Sequence, residues 1–80
     1  MEVYLGVDVG SVTTKLAVLD GDNRLVTHLY LLTEGKPIQT VQYGLKQIEK
    51  QLPGEARICG VGATGSARYL AGVILGADLV

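Results

Sequence analysis

Residues 3–32, VYLGVDVGSVTTKLAVLDGDNRLVTHLYLL, decide the fold that this 80-residue chain can adopt. The stretch contains three runs rich in β-forming residues, at positions 3–9, 14–19 and 25–32. Short connections separate them: residues 10–13, which begin with Gly10-Ser11, and residues 20–24, which begin with the turn-forming sequence DGDN. Because such short connections favour hairpins, the segment predicts an antiparallel meander of three strands. Apolar residues on both faces of the first run predict a strand buried on both sides.

The rest of the chain predicts a helix, a strand and a second helix. Pro37 suits a first helical turn, and one apolar stripe follows at spacings of three and four: Ile38, Val41, Leu45, Ile48 and Leu52. Positions 56–61 predict a fourth strand, 62–65 a glycine loop, and 66–75 a helix that is apolar on all sides. A crossover helix makes strand four parallel to strand one. The order βββαβα therefore predicts an α/β fold with a mixed sheet of strand order 3-2-1-4.

Composition excludes several classes of protein. The chain is 48% hydrophobic and 19% charged, which indicates one small ordered domain. A net charge of −1 without a basic stripe argues against a nucleic-acid partner. The longest uncharged apolar stretch, residues 69–77, is too short to span a membrane. The single cysteine, Cys59, excludes an internal disulfide and favours a reducing compartment, so we expect a cytoplasmic protein.

The first segment with chemical potential is DVGSVTTK at positions 8–15. A glycine turn after a strand can direct backbone N–H groups toward one spot and form a nest for an anion. Lys15 adds a cation, and hydroxyl donors come from Ser11, Thr13 and Thr14. Asp8 would repel phosphate unless a divalent cation stands between them, so Asp8 is a candidate for holding Mg²⁺ through water. The alternative is a plain hairpin with a polar tip.

The second segment, GVGATG at positions 60–65, literally matches the GxGxxG dinucleotide fingerprint. Three strands precede it, and Asp78 does not end a following strand, so its context argues against that interpretation. A glycine loop at a helix N-terminus remains, in which Gly62, Thr64 and Gly65 could bind an anion. The alternative is a tight turn that uses glycine only for backbone room.

Three single residues receive simpler interpretations. Cys59 is predicted to be a small buried residue within a strand. His28 is predicted to be structural or to face solvent. Arg68 is predicted either to bind an anion at the loop or to keep its helix hydrated.

Together the two segments resemble the N-terminal part of the ASKHA superfamily of actin, sugar kinases and heat-shock chaperones. The first hairpin of that superfamily carries the pattern DxGSxxxK, which Asp8, Gly10, Ser11 and Lys15 match. More narrowly, residues 6–20 and 61–72 resemble the BadF/BadG/BcrA/BcrD ATPases, activators of 2-hydroxyacyl-CoA dehydratases. The family usually shows GIDVGSTTTK and ATGYGR; here Val12 replaces a Ser or Thr, Ser66 replaces the tyrosine, and Ala67 replaces the second glycine.

The resemblance implies that residues 1–80 form a partial domain, the N-terminal part of an ATPase module with a ribonuclease H-like fold. It implies ATP and Mg²⁺ as cofactors, with Asp8 organising the metal and Lys15 neutralising phosphate. The β- and γ-phosphates would be held by Ser11 and the backbone of Gly10, Ser11, Val12 and Thr13. It also implies a 4Fe–4S cluster as a cofactor of the full-length family, held by cysteines further along, and two partners. These are the rest of a longer chain and an acyl-CoA dehydratase-type enzyme that receives a low-potential electron.

Two other functions stay open on the sequence alone. One is a non-catalytic interaction or regulatory domain with the same fold, and the other is a Rossmann-type binder that uses Gly60, Gly62 and Gly65. The resemblance implies a cleft between two domains, of which these 80 residues form one wall. We expect them alone not to hydrolyse ATP, because one wall supplies few transition-state contacts. We also expect a homo-oligomer, through the apolar second helix or the open edge of strand four.

Overall fold

The described part of the chain, residues 1–65 of a computed structural model, forms a four-stranded sheet with one helix. The elements are β1 (Glu2–Val9), β2 (Thr13–Asp20), β3 (Leu25–Leu32), α1 (Pro37–Gln51) and β4 (Arg57–Thr64). The strand order is β3-β2-β1-β4, with β1, β2 and β3 antiparallel and β4 parallel to β1. The predicted topology is therefore confirmed, whereas the predicted second helix lies outside the described residues.

The core lies on one face of the sheet. In β1 the side chains of Val3, Leu5, Val7 and Val9 are buried, and the residues between them are exposed. The prediction that β1 is buried on both sides is wrong in the described structure. Successive side chains of a strand point to opposite faces, and here the second face carries two charged residues, a tyrosine and a glycine.

Helix α1 packs across β2 and β3 and closes the core. Val41, Leu45 and Ile48 of the predicted stripe are buried, and Leu52 packs against them just after the helix ends. Ile38 is 41% exposed, so its predicted burial is wrong. Ile38 lies in the first turn of α1, one turn before the buried part of the stripe begins.

The sequence analysis missed one close contact between α1 and the sheet. Gly44 is buried, and a Cβ atom at this position would lie 2.7 Å from Cδ1 of Leu16 on β2. Glycine therefore sets how closely the helix approaches the sheet.

Strand β4 continues further than the glycine-rich sequence predicts. The predicted loop began at Gly62, but residues 61–64 pair in parallel register with residues 5–8 of β1. Pairing along β1 keeps the backbone extended through Thr64, and only Gly65 of the predicted loop lies beyond the strand. Gly62 and Thr64 are consequently positions on the sheet.

Cys59 is a bulge in β4. Ile58 pairs with Val3 and Gly60 with Tyr4, so Cys59 between them has no position opposite on β1. Its side chain is exposed, and the predicted burial of Cys59 is wrong because Ile58 before it packs against the core and successive strand residues face opposite sides. His28 on β3 is exposed, as one of its two interpretations predicts.

The turn between β2 and β3 follows the predicted chemistry. Asp20 accepts the N–H groups of Asp22 and Arg24 at 2.8 and 3.0 Å, and Asn23 adopts a positive φ of 61°. Over residues 1–65, no helix has the length and apolar character needed to cross a membrane.

Candidate functional site

The hairpin between β1 and β2 presents its tip to solvent. Val9 and Thr14 are the last register partners, and beyond them the Gly10 N–H donates to the Thr13 carbonyl at 2.8 Å. Ser11 and Val12 form the exposed tip. The Gly10 amide, which the resemblance assigns to phosphate, is therefore used inside the turn. The amides of Ser11 and Val12 remain as candidates for the predicted anion nest.

One row of polar side chains crosses three strands beside this tip. Asp8 of β1 pairs with Lys15 of β2 on one side and with Thr64 of β4 on the other. All three are exposed, and the Thr64 hydroxyl donates to Oδ1 of Asp8 at 3.3 Å. The sheet thus brings together a carboxylate, an ammonium and a hydroxyl that the sequence places in two separate segments.

Lys15 has a neighbour that the sequence analysis did not single out. Tyr30 is its register partner on β3, and Nζ of Lys15 lies 5.9 Å from the centre of the tyrosine ring. This distance is within the range of a cation–π interaction. Within residues 1–65 the lysine forms no ion pair, and the tyrosine ring is the described contact of its ammonium. The contact could have been found from the strand register, which places Tyr30 opposite Lys15.

A floor of small residues lies next to the polar row. Gly6, Ala17 and Gly62 are neighbours on β1, β2 and β4, and with the polar row they line an open groove of about 370 Å³. A Cβ atom at Gly62 would meet nothing within 4 Å, and one at Gly6 would meet only a backbone oxygen at 4.0 Å. Packing among the described residues does not require glycine at these two positions. Their effect is to keep the groove open beside Asp8.

Gly65 has a steric role. Its φ is +98°, and a Cβ atom would lie 2.2 Å from the carbonyl oxygen of Val9. Only glycine lets the chain leave β4 so close to the end of β1. This agrees with the simpler interpretation, in which glycine provides backbone room; the predicted helix after it, with Arg68, lies outside the described residues.

The hydroxyl of Thr14 is not available to a ligand. Thr14 is fully buried, and its Oγ1 lies 2.9 Å from Oγ1 of Thr33, which is also buried. The expectation that Thr14 contributes to the anion site is therefore wrong, because residue 14 points to the core side of β2. Thr33 itself was missed, since nothing in its local sequence distinguishes it from other strand-end threonines.

The donor set fits a hydrated magnesium ion. Asp8 and Thr64 offer hard oxygen ligands at an open groove, and Mg²⁺ usually keeps several waters and takes only one or two carboxylates. Among the described residues no cluster of three or more acidic, histidine or cysteine side chains exists, so a fully protein-ligated cage is not formed there. Cys59 is the only cysteine in the sequence, and a 4Fe–4S cluster needs more thiolates than it can supply.

Comparison with known proteins establishes the fold. No family model and no curated protein matches the sequence. The structure matches the crystal structure of the Aquifex aeolicus Ppx/GppA phosphatase, type II variant, with a TM-score of 0.51 and 12% identity. The match covers 82% of this chain and 36% of the phosphatase, so this chain spans about a third of that protein's length.

The four strands and the helix thus share the fold of part of that phosphatase, and their βββαβ order with strand order 3-2-1-4 is the predicted ribonuclease H-like arrangement. The Rossmann-type alternative does not fit this fold. The sheet begins with an antiparallel meander, and Gly60 and Gly62 lie inside β4, where they pair with β1.

Proposed function

We propose that this chain forms the first phosphate-binding wall of an ATP–Mg²⁺ site in an actin-like ATPase. The observation that carries the proposal is the convergence of Asp8, Lys15 and Thr64 on adjacent strands, directly beside an exposed glycine hairpin. A carboxylate next to a cation and backbone donors suits a metal–phosphate ligand better than a bare anion, which the carboxylate would repel.

Each residue has a distinct role in this proposal. Asp8 accepts hydrogen bonds from the water shell of the metal, and Thr64 fixes the orientation of its carboxylate. Lys15 neutralises phosphate oxygens, and its long side chain can reach them by leaving the face of Tyr30. The backbone of Ser11 and Val12, with the hydroxyls of Ser11 and Thr13, binds the outer phosphates. Bound ATP–Mg²⁺ supplies the phosphoryl group and its charge.

A narrower proposal concerns the enzyme that this ATPase serves. The resemblance at residues 6–20 and 61–72 supports an activator of a 2-hydroxyacyl-CoA dehydratase-type enzyme. In that case a longer chain supplies the second phosphate loop, the adenosine-binding segment and the cluster cysteines. The test is ATP-dependent reduction of such a dehydratase by a protein that carries this segment. The Asp8→Asn variant of that protein should be inactive.

Titration of the 80-residue chain with Mg·ATP, followed by NMR shifts up to millimolar nucleotide, tests the broader proposal. We expect shifts at the Ser11 and Val12 amides that require Mg²⁺. Asp8→Asn should weaken binding by about tenfold or more, because a neutral amide cannot replace the carboxylate beside hydrated Mg²⁺. Asp22→Asn is the matched control, since Asp22 is also exposed but lies in the turn at the opposite end of β2. Equal affinities for Asp8→Asn and wild type would contradict the site, and no binding at all would favour a non-catalytic interaction domain.

A further inference from the structure

Thr33 connects the junction after β3 to both sides of the hairpin tip. Its backbone N–H donates to the carbonyl of Val12 at 2.8 Å, and its hydroxyl donates to the carbonyl of Gly10 at 2.9 Å. These two carbonyls flank Ser11, so one residue holds the tip at two points. Thr33 is only 2% exposed, and water does not compete freely for these bonds.

The hydroxyl protons of Thr33 and Thr14 can be assigned from this arrangement. A threonine hydroxyl has one proton, and Thr33 gives its proton to the Gly10 carbonyl. Thr14 must therefore donate to Oγ1 of Thr33 across their 2.9 Å contact. The result is a directional chain from Thr14 through Thr33 to the backbone of the tip.

The carbonyl of Thr33 is fixed from the other side. It accepts the Lys36 N–H at 2.9 Å, and the Thr40 hydroxyl lies 3.2 Å away. The turn that closes between Thr33 and Lys36 places two consecutive residues in the left-handed region, Glu34 at φ 53° and Gly35 at φ 68°. A left-handed glutamate is unfavourable, and such strain persists only where surrounding contacts hold it.

The tip needs this external support because of its own backbone conformation. Two-residue hairpin loops are stable by themselves mainly as type I′ or II′ turns, which require positive φ angles. None of residues 10–13 has a positive φ. The bonds from Thr33 replace the stabilisation that a primed turn would have provided.

We propose that Thr33 is a positioning residue for phosphate binding, which holds the amides of Ser11 and Val12 in their binding arrangement before a ligand arrives. This inference rests on the proposed ATP–Mg²⁺ site and adds a residue to it that contacts no ligand. Holding a loop in its bound conformation raises affinity because less ordering remains to be done on binding.

Three variants separate the hydroxyl of Thr33 from its shape. Thr33→Val keeps the volume and the backbone N–H but removes the hydroxyl, whereas Thr33→Ser keeps the hydroxyl. Thr14→Val removes the donor to Thr33 and leaves the bond to Gly10 in place. Two quantities are measured for each variant: the hydrogen exchange of the two bonded amides at the tip, those of Gly10 and Thr33, without nucleotide, and the affinity for Mg·ATP.

We expect Thr33→Val to speed exchange at the tip and to weaken Mg·ATP binding, each by about tenfold, the effect of losing one buried hydrogen bond. Thr33→Ser should restore both quantities to within about twofold, and Thr14→Val should have a smaller effect in the same direction. Protection of the Leu5 and Val7 amides reports on the core and should not change. If Thr33→Val loses that protection, Thr14→Val is compared with wild type instead. Faster exchange at the tip and weaker Mg·ATP binding in Thr14→Val would then support the role of Thr33, and unchanged values would contradict it.

Unchanged exchange and affinity in Thr33→Val would overturn the inference, as would equal losses in Thr33→Val and Thr33→Ser. A wild-type chain that binds no Mg·ATP contradicts the proposed function and, with it, the role of Thr33 in phosphate binding. Normal wild-type binding with an unaffected Thr33→Val variant contradicts only the role of Thr33.

Discussion

Gly65 and Gly62 lie three residues apart and differ in what they require of the chain. At Gly65 a Cβ atom would overlap the backbone of Val9, whereas at Gly62 it would enter open space. We expect Gly65→Ala to lower the free energy of unfolding by about 2 kcal/mol, because both the positive φ and the backbone contact oppose a side chain.

Gly62→Ala is the matched control for that substitution. It should leave stability unchanged or raise it by about 0.5 kcal/mol, since alanine costs less backbone entropy than glycine in a strand. Urea denaturation of both variants measures the difference. Equal stabilities would show that the chain can leave β4 by another path.

At the residue scale, the sequence predicts the two residues that define the polar row. Asp8 and Lys15 stand out because acid, glycine turn, hydroxyls and lysine fall within eight positions. Thr33 could not be found in this way. Its role depends on hydrogen bonds to residues 19 and 23 positions away, which exist only once β3 has paired and the turn before α1 has formed.

At the scale of elements, Gly44 tests how α1 meets the sheet. Alanine would favour the helix by about 1 kcal/mol, but its Cβ atom would overlap Leu16, whose side chain is buried and has little room to move. Overpacking of this kind costs about 1–3 kcal/mol, so we expect Gly44→Ala to be less stable than wild type by up to about 2 kcal/mol.

Gln42→Ala is the control on the exposed side of the same helix. It should change the free energy of unfolding by no more than about 0.5 kcal/mol, because the side chain packs against nothing in the core. Thermal or urea unfolding of the two variants gives the comparison. A stabilised Gly44→Ala variant would mean that α1 can move away from β2 at little cost.

The strand order follows from the sequence because connection lengths restrict it. Two short turns force an antiparallel meander, and a crossover helix then returns β4 in parallel beside β1. The end of β4 could not be predicted from the sequence, because GATG is typical of a loop. Only the pairing with β1 keeps these residues in the strand. Burial of β1 on both sides was predicted wrongly for a related reason. Tyr4 and Gly6 lie among apolar residues, so the local sequence does not show that their side of the strand is exposed.

At the scale of the whole molecule, hydrolysis of ATP by these 80 residues remains predicted to be absent. The described residues line an open groove, whereas stabilisation of a transition state requires donors around the transferred group in a site that excludes water. Steady-state phosphate release with Mg·ATP measures this. Turnover that disappears in Asp8→Asn would contradict the prediction and show that the segment works alone.

Self-association also stays a prediction. The apolar helix expected at residues 66–75 lies outside the described structure, while β4 is an outer strand of the described sheet and offers an edge for pairing. We expect a dimer or larger assembly at tens of micromolar in sedimentation equilibrium. If the helix is the contact, Leu70→Glu combined with Ile74→Glu should give a monomer. A wild-type monomer would contradict the expectation.

The two hydrogen bonds from Thr33 have an electronic consequence for the tip. The Gly10 carbonyl belongs to the same peptide unit as the Ser11 N–H, and the Val12 carbonyl to the same unit as the Thr13 N–H. A donor on a carbonyl draws electron density through the peptide resonance and leaves the attached N–H more positive, a cooperative gain of about 10–30% per bond. Of the two amides proposed to bind phosphate, Thr33 therefore strengthens that of Ser11, and a phosphate bound there would meet a more strongly polarised N–H group.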